Sequence, residues 1–529
     1  MQENRSFDNY FGTFPGANGF PAGVCVPIEP KSPQLGCVKP FHDPYDINAG
    51  GSHGGASAQG DIDDGIKTAK QDGYVLNQTL TPEETCNGRG VSLVDCVGAT
   101  FGGQAHDAMG YHTADEIPNY WAYASHFVLQ DAMFAGERNY SYPSHLDLTS
   151  EWAAHCTDDT NAMTCSTGAG SFNGKTTQLP WSSLFQFFDA QSVSWKYYVD
   201  TGTEPDCPDG DDDCEPANQN YKLASIWNPA PVFLYVKQQG TAYLNAHLFD
   251  SNHFISDVQN GNLAQVSWII PSVENSEHPP AGVTMGMEYV TRLVNAVMLS
   301  PYWANTAIFV AWDDWGGFYD HYTPPNVTFN ATTIAPVEGF GLRVPGLMIS
   351  AWANAGMIDH SIYSFDQYAT LIEDLFTAGT RFNPAKLGNP DNRGIIRDSL
   401  NQVTFMDGTA APIGNLMNEF NFNQTPLPPL ILSTAIPTGL SAVCGETAAS
   451  LQCTSSTVTL SWNAVGVAQT PGPFTYHVQR NGLELHNCVG TATTCTDTPR
   501  SGTNIYRAYT VSAGGVKSPL SAAAQAVMP

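Results

Sequence analysis

Basic residues are scarce in this chain: 21 lysines and arginines stand against 50 aspartates and glutamates in 529 residues, for a formal charge of −29. That balance repels polyanions and offers no basic stripe for counterion release, so nucleic acid is not an expected partner. It also disfavours tight adsorption to anionic membranes. What remains is transient membrane-surface contact. No apolar run reaches the roughly 18 residues of a membrane span, so no transmembrane segment is expected. No Cys-x2-Cys pair or Cys/His cluster is present, which argues against structural zinc. Met1-Gln2-Glu3-Asn4-Arg5 lacks the basic and apolar character of a signal peptide, which points to a mature or truncated chain.

At 529 residues, 42% of them hydrophobic, the chain exceeds one ordinary domain and can bury at least one large core. The twelve cysteines fall into sequential neighbours: Cys25 and Cys37, Cys86 and Cys96, Cys156 and Cys165, Cys207 and Cys214, Cys444 and Cys453, Cys488 and Cys495. An even number in short loops predicts local disulfides and an oxidising compartment, hence a secreted or periplasmic protein.

Up to about residue 425, short apolar runs alternate with helical patterns, which favours an α/β layer fold. Buried strands are expected at 266–270, 307–312 and 344–350, with a helix over 287–299 between the first two. Pro426, Pro428 and Pro429 open a stiff linker (426–435), after which charged residues thin out. From 436 to 529 apolar positions alternate with period two, and Asn481-Gly482 marks a hairpin. This region resembles a fibronectin type III module, an all-β sandwich with a core Trp462. Its expected role is to space or attach a catalytic domain rather than to perform chemistry.

Three segments carry chemistry. Glu3-Asn4-Arg5-Ser6-Phe7-Asp8 sets a carboxylate beside an amide, both hard ligands for a divalent cation. The competing reading is a solvated terminus or a glycosylation acceptor at Asn4. Asp313-Asp314-Trp315-Gly316-Gly317-Phe318-Tyr319-Asp320-His321 ends an apolar strand with two adjacent carboxylates, which repel each other unless a cation neutralises them or water solvates the turn. Glu274-Asn275-Ser276-Glu277-His278-Pro279-Pro280 follows another buried strand; His278 is either a general acid or a structural histidine. A fourth segment, the acidic loop at 206–215, is either a solvated loop or a calcium ligand without EF-hand spacing.

Together with Tyr140-Ser141-Tyr142-Pro143-Ser144-His145-Leu146, the first three segments resemble the bacterial phosphoesterase family of nonspecific phospholipases C and acid phosphatases. The likeness covers most of residues 1–380, in the family's order. It implies an alkaline-phosphatase-like α/β core, a central mixed sheet flanked by helices, over residues 1–425. It further implies metal ligands at Glu3, Asn4, Asp313 and Asp314, a nucleophile at Ser141, and His278 serving the leaving group. Under the same resemblance His321 and His360 attend the phosphoryl oxygens, and His42 and His53 match histidines of an early family segment. From the residues alone, Asn139-Tyr140-Ser141 reads first as a glycosylation acceptor at Asn139, and any one of the five histidines as structural. The metal is a divalent cation whose identity the oxygen ligands leave open among calcium, magnesium, manganese and zinc.

The expected activity is phospholipase C-type cleavage of phospholipids, with phosphomonoester hydrolysis by an acid phosphatase as the alternative. The family pattern also has a hydrophobic strand immediately before Glu3, where this sequence has Met1 and Gln2. A catalytic domain without its first strand is therefore expected, and with it the third alternative, a secreted binding protein whose truncated enzyme domain is inactive.

Overall fold

The computed structural model describes residues 1–43, 46–62, 70–80, 99–101, 104–166, 178–205, 217–326, 328–329, 332–333, 339–393, 397–405, 407–444, 453–465, 474–512, 518, 520–521 and 523–529. The pairs Cys86–Cys96 and Cys207–Cys214 and the acidic loop at 206–215 lie outside the described residues. Disulfides join Cys25 to Cys37, Cys156 to Cys165, Cys444 to Cys453 and Cys488 to Cys495.

The mixed α/β region is built, in chain order, from α1 (Phe7–Phe11), β1 (Val128–Gln130), α2 (Ser141–Ser150), β2 (Trp195–Val199), β3 (Leu248–Asp250), β4 (Val266–Ile270), α3 (Val283–Met298), β5 (Ala307–Ala311), β6 (Gly346–Ser350), β7 (Met357–Asp359) and α4 (Asp366–Phe376). The strands form two groups. One is parallel, in the order β3-β2-β4. The other, β5-β6-β1-β7, is mixed: β5 and β1 run antiparallel to β6, and β7 runs parallel to β1.

Between the edges of β4 and β5 lies a slot entered by Met1 and Gln2. The Met1 ammonium donates to the Ile269 carbonyl at 3.0 Å, and Gln2 forms a parallel bridge to Trp312. Its amide donates to Ala311 and its carbonyl accepts from Asp313, at 2.8 and 2.9 Å. Beyond these residues the slot continues as a cavity of about 540 Å³, with Val266, Ile269, Val294, Phe309, Val310 and Leu371 among its walls.

Helix α3 shows how the sequence places a layer on this sheet. Val283, Met287, Val290, Val294 and Val297 recur at steps of four and three, share one face, and are all buried. The helix starts four residues before the expected boundary and stops just ahead of Ser300-Pro301, where the proline can no longer donate a helical hydrogen bond.

The 426–435 stretch packs along the α/β region. Leu427 donates to Ala351 at 2.7 Å and accepts from the Trp303 indole at 2.9 Å, and the Asn295 side chain clasps the backbone of Leu432 at 2.8 and 3.2 Å. Beyond it come β8 (Ser441–Val443), β9 (Val458–Ser461), β10 (Phe474–Arg480), β11 (Leu483–Glu484), β12 (Thr494–Asp497), β13 (Gly502–Ser512) and β14 (Ala524–Met528). Among the described residues they make two antiparallel sheets, β8-β9-β12 and β11-β10-β13-β14. Asn481 and Gly482, both at positive φ, turn β10 into β11 as the hairpin signal predicts. Arg507 on β13 ties this module back to the α/β region through Glu116 at 2.7 Å.

Two carboxyls shift because folding removes them from water. Burial pushes Glu419 up to about 8, although Gln130 donates to it at 2.8 Å, and burial pushes Glu288 up to about 8 against the Ile436 amide. The folded chain then holds protons that the unfolded chain has released. Their stabilisation is complete below the ordinary carboxylate value and is lost as pH rises through about 8. Urea titrations should show stability falling across that window, each group contributing a slope of up to about 1.4 kcal/mol per pH unit. Glu419→Gln should flatten that fall; a slope identical to wild type would show that Glu419 stays ionised in the folded chain.

Candidate active site

Four chain segments converge beyond the carboxyl ends of β4 and β5, where open α/β sheets gather ligands. The bridge of Gln2 to Trp312 carries Glu3 and Asn4 alongside Asp313 and Asp314, and the Arg5 amide closes the pairing on the Asp314 carbonyl at 3.0 Å. The loop after β5 can turn there because Gly316 and Gly317 take positive φ. A Cβ on Gly316 would collide with the Asn4 carbonyl, and one on Gly317 with the backbone of Gly51.

Ser141 is the first residue of the ten-residue helix α2, at the end where backbone amides and the helix dipole favour an anion. Its hydroxyl donates to Glu3 Oε2 at 3.2 Å. One turn later His145 places Nε2 3.1 Å from Glu3 Oε1, so both face the same carboxylate. Ser144 donates to the Asp313 carbonyl at 2.5 Å and fixes the helix against the β5 loop. Glu3, Asn4, Ser141, His145, Asp313 and Asp314 are all buried.

The donor set fits a hard divalent cation. One ligand atom from each of Glu3, His145 and Asp313 lies within 4.8 Å of the other two. Asp313 Oδ1 accepts from the Asn4 amide at 2.9 Å, while Asp313 Oδ2 is buried with no hydrogen-bond donor, as is Asn4 Oδ1. Buried acceptors without donors are costly unless a cation meets them. His53 explains the orientation of Asn4. Its Nδ1 bonds the Gly51 carbonyl at 2.9 Å, which makes Nε2 the acceptor for Asn4 Nδ2 at 3.1 Å and leaves Oδ1 as the ligand atom.

His278 lies 5.7 Å from His53, ring centre to ring centre, and packs on Trp227. Its Nδ1 bonds the Pro279 carbonyl at 2.7 Å, so the proton of the neutral ring belongs there and Nε2 is its basic nitrogen. Below it Glu277 is buried beneath Tyr10 and Tyr120, each donating at 2.5 Å, and the Trp312 indole at 3.0 Å. Burial nevertheless raises its carboxyl to about 7.

The remaining histidines singled out in the sequence have other partners. His321 bonds Asp8 at 2.7 Å within a buried group in which Arg343 pairs Asp8 at 2.9 Å and Asp320 at 3.1 Å. That group carries its own cation. His360, largely exposed, bonds Asp131 at 2.7 Å. His42 bonds Glu116 at 2.9 Å, the carboxylate that also receives Arg507; burial opposes its ionisation, yet these two partners bring it down to about 2. His145 was not singled out in the sequence. Its signal is the four-residue spacing from Ser141, which acquires meaning only once the helix register is known.

The sequence pattern of the Phosphoesterase family matches residues 1–378. The non-hemolytic phospholipase C of Burkholderia pseudomallei is 26% identical over 475 residues, covering 80% of this chain and 58% of that protein. The hemolytic phospholipase C of Pseudomonas aeruginosa is 24% identical over 426 residues, 71% of this chain and 52% of the relative. Phospholipase C A of Mycobacterium tuberculosis is 24% identical over 463 residues, 80% and 77% of the two chains. This chain thus spans little more than half the length of the first two. Because the match extends over well more than half of the sequence and takes in all four convergent segments, the chain belongs to the Phosphoesterase family.

Proposed function

We propose that the chain hydrolyses phosphoric esters through Ser141, most directly by phospholipase C-type cleavage of a phospholipid. The observation that carries this reading is the Ser141 hydroxyl at a helix N-terminus, bonded to Glu3 in a buried set of oxygen donors. Glu3, Asn4, Asp313 and Asp314 would hold a divalent cation, with His145 as a further ligand. When bound, such a cation lowers the pKa of the serine and neutralises a phosphoryl oxygen. Ser141 Oγ, its proton released to solvent, attacks phosphorus in line, forming a P–O bond to the enzyme as the bond to the alcohol breaks. His278, entering the step as the imidazolium with protons on both nitrogens, gives the departing oxygen its Nε2 proton, releasing diacylglycerol from a phospholipid and leaving the neutral ring; water then cleaves the phosphoserine and its proton recharges His278.

A diester is favoured because Arg5, the cation of the opening segment, is committed to Asn48 at 2.6 Å and to the Glu277 carbonyl at 2.7 Å. A dianionic monoester would call for additional positive charge. The core is read as alkaline-phosphatase-like, since a helix N-terminus presents the serine and strand ends present the carboxylates. The seven-stranded module is read as fibronectin type III-like. The cysteine pairs support a secreted or periplasmic location, and no helix among the described residues is long and apolar enough to cross a membrane.

Ser141→Ala should lower turnover of phosphatidylcholine by about a thousandfold or more while leaving metal content unchanged. Retention of most activity would remove Ser141 from the chemistry. Faster turnover of a simple aryl phosphate than of phosphatidylcholine would shift the assignment to a phosphatase, and no turnover of either by the metal-loaded chain would favour a binding protein.

Asp313→Asn and His145→Ala should each lower the metal retained after dialysis, measured by inductively coupled plasma mass spectrometry. Ser141→Ala serves as the control. Full retention in His145→Ala would confine the ligands to oxygen donors.

A further inference from the structure

The other end of the helix that begins at Ser141 meets a second buried acidic group. Glu151 caps α2 in the left-handed conformation, Glu373 lies on α4, and Asp398 lies in the short turn Arg397–Ser399. One carboxylate oxygen from each falls within 4.8 Å of the other two, and all three residues are buried.

Hydrogen bonding accounts for part of this group. Glu373 accepts from the Phe382 amide at 2.7 Å and from Arg381 at 3.3 Å, and Glu151 Oε2 accepts from the Asp398 amide at 3.4 Å. Glu151 Oε1 is buried and receives no donor, while Asp398 meets the Glu373 carboxyl and the Phe382 amide. Neighbouring guanidiniums are engaged elsewhere. Arg397 is held by Glu137, Asp147 and Asp366 at 3.0 to 3.1 Å, Arg393 by Asp391 at 2.8 Å, and the partly exposed Arg381 more closely by Asp374, at 2.7 Å. Arg381 and Arg393 offset part of the charge of the three carboxylates, and each is paired more closely with an aspartate of its own.

We propose that Glu151, Glu373 and Asp398 form a calcium site, distinct from the donor set at Glu3 and Asp313, that fastens the C-terminal end of the helix carrying Ser141. Oxygens within 4.8 Å of one another can close on a single calcium ion, which binds oxygen at about 2.4 Å in a flexible geometry. Magnesium holds its oxygens closer and in stricter octahedral order, and zinc or copper would draw on nitrogen or sulfur, which this cluster lacks. The two sites are separated by the length of α2, about 15 Å at 1.5 Å per residue. Burial, and then the neighbouring Asp398, raise Glu373 to about 9 in the metal-free chain, so protons and calcium compete for the same oxygens.

The test uses the full chain carrying Asp313→Asn, which weakens the first site. After dialysis against a chelator, calcium is returned at millimolar concentration at pH 7.5 and counted by native mass spectrometry, with thermal unfolding followed in parallel. One calcium per chain and a rise of several degrees in the unfolding midpoint, not reproduced by magnesium, are expected. No bound calcium would overturn the proposal and identify the cluster as shared protons.

Adding Glu373→Gln should remove the ion and its stabilisation; retention of the ion would place it elsewhere and overturn the assignment. If that variant does not fold, Asp398→Asn applies the same criterion. Turnover is not a readout here, so failure of the Ser141 mechanism and failure of this site remain distinguishable.

Discussion

Buried negative charge is the constraint on which this architecture rests. Glu3, Asp313 and Asp314 are packed out of solvent within one small volume, and so, at the opposite end of α2, are Glu151, Glu373 and Asp398. Carboxylates so placed repel one another and lose their hydration, a cost that ion pairing, protonation or a bound metal must offset. The chain uses more than one of these solutions. Around Asp8 and Asp320 it supplies an internal guanidinium, Arg343, and at Glu419 and Glu288 burial raises the carboxyl to about 8 and so favours its neutral form. At Glu3 and Asp313 it aligns an amide oxygen and an imidazole with the carboxylates, a set that makes sense around a cation.

The helix from Ser141 to Ser150 links these regions mechanically. Its N-terminus presents the serine, its second turn presents His145, Ser144 anchors it to the β5 loop, and its cap is Glu151. A helix is stiff along its axis, so what happens at Glu151 bears on where Ser141 Oγ stands relative to Glu3. The tyrosines beneath Glu277 act similarly on the His278 side, fixing the loop after β4 through short hydrogen bonds.

Much of this could be read before any coordinates. The strand ends at 270 and 312 were marked by proline and by paired aspartates, so the loops bearing His278 and Asp313 were legible, as was the Asn481-Gly482 hairpin. Motif resemblance assigns Glu3 and Ser141 to one site, and their hydrogen bond emerges only from the fold, across 138 residues. No local pattern connects residues 138 positions apart. For the same reason the partners of His42, His321 and His360 were invisible: Glu116, Asp8 and Asp131 are 74, 313 and 229 residues away. His145 was hidden by register rather than by distance. The cluster at Glu151 was hidden because its three members come from a helix cap, a helix face and a turn, none with an unusual neighbourhood in sequence.

The placement of Gln2 also bears on how the site can be perturbed. Its amide donates to Ala311 and its carbonyl accepts from Asp313, so the peptide that carries Glu3 and Asn4 is registered by main-chain bonds rather than by the identity of the Gln2 side chain. Exchanging that side chain leaves both bonds in place. A proline there would delete the donor to Ala311 and loosen Glu3 and Asn4 from the strand end that presents Asp313, a change in the site made without touching any of its ligand atoms.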